Sequence, residues 1–79
     1  MILKISDTMR INTDEIREYH IKYSDQYEKW IVYIDWKNVD DRSQYYADSK
    51  EEAEKFFNTL DYVLGAQDVD PNPRGGRII

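Results

Sequence analysis

Tyr19-His20-Ile21-Lys22-Tyr23-Ser24-Asp25-Gln26-Tyr27-Glu28-Lys29-Trp30-Ile31-Val32-Tyr33-Ile34-Asp35-Trp36 carries six large aromatic residues in two alternating runs around a polar break. Tyr19, Ile21 and Tyr23 alternate with Glu18, His20 and Lys22, a period of two that places one set on each face of a strand. Ile16, Tyr19, His20 and Tyr23 also stand at helical spacing. The β-favouring character of Tyr and Ile decides for a strand over about 16–24, after a turn at 13–15. Ser24-Asp25-Gln26-Tyr27 turns the chain, and Glu28 to Lys37 forms the second strand. On it Trp30, Val32, Ile34 and Trp36 point one way, and Lys29, Ile31, Tyr33, Asp35 and Lys37 the other.

Outward from this pair, Ile2-Leu3-Lys4-Ile5 and Met9-Arg10-Ile11-Asn12 read as a short hairpin turned by Ser6-Asp7-Thr8, whose side chains bond their own backbone. On the other side, Asn38-Val39-Asp40-Asp41 is a turn and Ser43 to Ala47 a further strand. Asp48-Ser49 then opens a helix, with Ser49-Lys50-Glu51-Glu52 at capping-box spacing. Ala53, Phe56, Phe57, Leu60, Val63 and Leu64 form one stripe, and Gly65 ends it. The order predicts an α+β fold: an antiparallel sheet of four to five strands with one C-terminal helix packed on one face. Residues 1–65 form a single domain. Residues 66–79, with both prolines and two of the three glycines, read as a flexible tail.

A 79-residue chain without cysteine has no disulfide or thiolate site to support a small core, so its aromatics carry much of the burial. Met1-Ile2-Leu3 runs at once into Lys4, which excludes a signal peptide at that position, and no apolar run has membrane-spanning length. The expectation is a soluble, cytoplasmic protein. Sixteen acids against eleven bases give a net charge of −5. Residues 35–54 hold seven acids against three bases. Such a chain repels phosphate and lacks the basic stripe of a nucleic-acid binder; it suits a protein partner with a basic surface.

Chemistry has few candidates. His20 is the single histidine and lies mid-strand between Glu18 and Lys22; a catalytic reading requires it to sit in a cleft against two carboxylates. The serines fall at turns, strand starts or caps. Asp68-Val69-Asp70-Pro71-Asn72 opens like a calcium loop, but Pro73 and Ile79 stand where that loop needs Gly and Glu. Arg74-Gly75-Gly76 resembles the end of a ubiquitin-like modifier, whose helix, however, follows its second strand. The chain is therefore read as no enzyme, with no catalytic residue, no cofactor and no metal.

The aromatics are the better lead. With the helix stripe, Trp30, Val32, Ile34, Leu3, Ile5 and Ile11 assigned to the core, Ile31, Tyr33 and Asp35 remain on the open face. Tyr46 points opposite to Tyr45, and Tyr62 lies away from the helix stripe. Exposed Tyr and Trp in groups mark interfaces, because they bury large area at low entropic cost. The expected partner surface comprises Ile31, Tyr33, Asp35, Trp36, Asp40, Asp41, Tyr46, Asp48 and Tyr62. Aromatic anchors fill pockets and the acidic segment steers toward basic surface. A homodimer across the open face and stacking of single-stranded nucleic acid are the alternatives.

Ile2-Leu3-Lys4-Ile5-Ser6-Asp7-Thr8 through Ile11-Asn12-Thr13-Asp14, with Ser49-Lys50-Glu51-Glu52-Ala53 opening the helix, resembles small uncharacterised proteins of phages and mobile elements in Gram-positive bacteria. The resemblance spans most of residues 1–64 and transfers no catalytic residue. It implies a setting in which small acidic proteins bind and block host proteins such as polymerases, nucleases and CRISPR effectors.

Overall fold

The computed structural model describes residues 1–69. The tail read over 66–79 and the calcium-loop opening at 68–72 extend past the described residues, and the modifier-like end at 74–76 lies outside them. Strands β1 (Ile2–Lys4) and β2 (Arg10–Asn12) form a hairpin, and a 3₁₀ turn over Thr13–Glu15 follows. Strands β3 (Ile16–Ser24), β4 (Lys29–Trp36) and β5 (Arg42–Ala47) then form a meander, and helix α1 (Lys50–Leu64) closes the described fold.

The expected single sheet of four to five strands is corrected here. The strands divide into a three-stranded antiparallel sheet in the order β3-β4-β5 and a separate two-stranded sheet, β1-β2. The division follows from the turn between β2 and β3. Asn12 caps that turn by accepting from the Asp14 N–H (3.1 Å). Buried Thr13 gives both its N–H (2.8 Å) and its hydroxyl (3.0 Å) to the Met1 carbonyl. The Glu15 carbonyl in turn accepts from the Lys37 N–H (2.8 Å). The chain is thus bent at 13–15 and cannot run β2 onward in the plane of β3. The hairpin instead folds over one end of the core, bringing in Leu3 and Ile11.

Across the meander, Tyr19, Ile34 and Ser43 are in register, as are Ile21, Val32 and Tyr45. This parity sends Val32, Ile34 and Ala47 toward α1, where they meet Ala53 and Leu60 in the buried core together with Ile16. Phe56, Phe57, Leu64, Trp30 and Trp36 pack around that centre half-buried. Two tyrosines tie the sheet to the helix through polar tips. Tyr19 donates to Asp61 (2.7 Å) and meets Phe57 edge-on at 5.2 Å. Tyr45 donates to Glu52 (2.8 Å) and meets Phe56 at 4.8 Å. Burial, with the hydrogen bond to Asp61 behind it, pushes the Tyr19 phenol up to about 12.

The helix ends follow the sequence. Ser49 accepts from the Glu52 N–H (3.1 Å), while the Glu52 carboxylate reaches back to the Asp48 N–H (3.3 Å) rather than to that of Ser49. Gly65 takes φ +70°, its N–H donating to Tyr62 O while that of Ala66 returns to Asp61 O (2.9 Å), a closure that suits glycine.

Candidate functional site

Two places on this frame gather side chains able to do something. The first is the sheet face turned away from α1. Its central residue, Ile31, is flanked in register by Lys22 and Tyr46, and only 1% of it is exposed. Asp35 is flanked by Glu18 and Arg42 and is 5% exposed. These two values correct the expectation that Ile31 and Asp35 are presented to a partner. Among the described residues, long neighbouring side chains and the edge-on pair of Tyr27 with Tyr46 (5.5 Å) lie over the face, and no helix or further strand does.

Asp35 is held by Arg42, which donates from Nε to Oδ1 (2.7 Å) and from Nη2 to Oδ2 (3.2 Å). The same guanidinium lies 5.3 Å from the centre of the Tyr33 ring. His20 Nε2 stands 3.6 Å from Asp35 Oδ2. The hydrogen bond from Arg42 lowers the Asp35 pKa; partial burial opposes this, and the charges of Arg42, His20 and Arg17 reinforce it. A carboxyl whose pKa is lowered by folding stabilises the fold above its unfolded pKa, and that contribution is lost as pH falls through the lower folded value. In thermal melts, the stability gap between the native chain and Asp35→Asn is therefore expected to shrink on acidification below about pH 4. A gap independent of pH would show that the pair contributes nothing.

Ligand atoms of Glu18, His20 and Asp35 all lie within 4.8 Å of one another, a grouping that could hold a metal ion. The sequence shows each residue but not their meeting, because Asp35 reaches His20 only through the strand register. A cation here meets an obstacle. Asp35 already satisfies Arg42 with both oxygens, so a metal would either displace the guanidinium or sit beside its charge. For catalysis, His20 has two carboxylates beside it but half its surface in water, in a shallow recess of about 400 Å³ shared with Lys22, Tyr33 and Arg42. The carboxylates are there and the enclosing cleft is not.

The second place is a groove between the hairpin and the free edge of β5. Ile5, Met9 and Ile11 line one wall, Trp36, Tyr45 and Phe56 the other. Tyr45 and Tyr46 point to opposite faces of the sheet, yet both line it with Ser43 and Gln44. What faces the groove is therefore the edge of the strand. The Trp36 indole donates to Ser43 Oγ (2.8 Å), which fixes the ring there. The volume is about 270 Å³, below the roughly 300–1,000 Å³ of small-molecule pockets and suited to a few side chains.

Comparison with protein-family models, curated proteins and solved structures finds no match to this chain. The site must be read from its own geometry.

The nine residues expected to meet a partner do not form one surface. Tyr33 and Tyr46 share the open face with buried Ile31 and Asp35. Trp36 belongs to the helix side of β4 and to the groove, and Tyr62, 88% exposed, lies on α1. Asp40 and Asp41 sit in the turn before β5, whereas Asp48 follows its other end and pairs with Lys29 (3.5 Å). Trp36, Tyr46 and these three acids are thus gathered around β5. The groove members Met9 and Phe56 were not readable as such, because their meeting depends on where the hairpin docks. No helix among the described residues is long and apolar enough to cross a membrane.

Proposed function

We propose that this chain is a small acidic, non-catalytic protein-binding module that regulates or inhibits a partner protein by steric masking. The observation that carries the reading is a mainly apolar groove, with Arg10 among its lining, beside the uncharged stretch 43–47 of β5, with exposed acids on both sides of that strand. Apolar contact surrounded by charge is the anatomy of a protein interface, and the net charge of −5 selects a basic partner. A cytoplasmic setting and a phage-borne inhibitor of a nucleic-acid enzyme, such as a CRISPR effector, are the sharpest form of the proposal, supported by the resemblance and the charge. Direct stacking of nucleic-acid bases is less favoured, since Arg42 already lies over the Tyr33 ring.

The test is affinity capture from a Gram-positive host lysate with the native chain and with an Asp40→Asn, Asp41→Asn, Asp48→Asn triple variant. The reading expects a basic protein retained by the native chain and released by the variant. A stable homodimer in light scattering, or a captured protein indifferent to the variant, would count against it.

A further inference from the structure

We propose that the partner is recognised as an added β-strand: an extended segment pairs along the free edge of β5, sends alternate apolar side chains into the groove and carries Lys or Arg at both ends. This rests on the protein-binding reading above and names its mode.

Among the described residues the sheet has two unpaired edges, β3 and β5, and they are built differently. β3 is interrupted by a register shift between Ile16 and Glu18 and carries Arg17, Glu18 and Lys22, devices that discourage pairing with another chain. β5 pairs with β4 in unbroken register; its one charged residue, Arg42, stands at its start and is held by Asp35, and 43–47 contains no charge, proline or glycine. An unpaired edge of this kind offers main-chain donors and acceptors to an extended segment. The groove beside it receives that segment's side chains on Met9, Ile11, Trp36 and Phe56.

Charge chooses the occupant. Asp40 and Asp41 are exposed and in no ion pair among the described residues, and Asp48 is exposed at the far end. Because two paired strands advance together, the partner's basic residues should flank its apolar core at a separation of about seven residues. A second copy would bring the same net charge of −5 against itself.

The experiment titrates the isotopically labelled full chain with a capped synthetic peptide, Lys-Lys-Val-Thr-Ile-Thr-Val-Lys-Lys, followed by NMR. Shift changes are expected on the amides of 42–47, on Met9 and Ile11 and on the Trp36 indole. Affinity should fall at least about tenfold when alternate peptide amides are N-methylated, when the flanking lysines become glutamates, and in Gln44→Lys, which places a like charge on an exposed edge residue. Three results would overturn the proposal: no shift up to millimolar peptide, changes centred on β3 or on Tyr33, or equal binding of the methylated peptide. Concentration-dependent doubling of mass with β5 perturbed would assign the edge to a second copy instead. A peptide that fails while lysate capture still depends on Asp40, Asp41 and Asp48 sinks strand addition alone. Loss of both sinks the module reading as well.

Discussion

Leu60→Ala is expected to destabilise the fold by about 2–5 kcal/mol, toward the upper end of that range. Leu60 has no exposed surface and lies in the buried cluster where Val32, Ile34, Ala47 and Ala53 bring the helix onto the sheet. Its surroundings belong to α1 and to neighbouring strands of the sheet, so they cannot close on the vacated space without moving α1 against the sheet. Native domains are held by only roughly 5–15 kcal/mol, and a chain of this size sits low in that range, so a substantial unfolded fraction should accumulate. Urea denaturation followed by far-UV circular dichroism reads the loss as a lower midpoint. A cost under about 1 kcal/mol would mean that the helix does not rest on this residue.

Ile31→Ala removes a side chain of similar size and burial, but from the opposite face of the sheet. The expected loss is about 2 kcal/mol, the low end for such a truncation. Among the described residues, Ile31 is flanked on this face by side chains such as Lys22 and Tyr46 of the neighbouring strands. They can settle inward or admit water, whereas the Leu60 site is walled by backbone elements. The ordering of the two variants is thus itself a prediction. Equal stability of Ile31→Ala and the native chain would place residue 31 in solvent and restore an open apolar face at that position.

That contrast marks how far the sequence could be read. The turn at 13–15, the strand from 16 to 24, the strands around Val32 and Tyr45, the Ser49 cap and the Gly65 stop all follow from local chemistry, and the structure has them in those places. Alternation also assigned Trp30, Val32 and Ile34 to one side of β4 and Ile31, Tyr33 and Asp35 to the other. It could not say whether the second side is open. Period two fixes direction, and exposure depends on what stands on the adjacent strands. Here Arg42, seven residues beyond Asp35, returns across the β4–β5 turn to cover it.

The sheet division was hidden for a similar reason. Thr13 reads as one more turn residue until its N–H and hydroxyl are seen to meet the Met1 carbonyl, twelve residues earlier. That contact bends the hairpin out of the sheet and leaves the β5 edge uncovered. The groove arises from the same event, so neither Met9 nor Phe56 carries a local signal of its role. Asp40, Asp41 and Asp48 were legible as acids on either side of a strand, but that this strand forms an edge of the sheet was not.

Which edge of the sheet meets the partner can be read from amide hydrogen exchange on the complex isolated by capture. Amides of residues 42–47 are expected to exchange more slowly in the complex than in the free chain, while those along 17–24 on the β3 edge are unchanged. Protection confined to the β3 edge, or to the Tyr33 face with residues 42–47 unaltered, would contradict it.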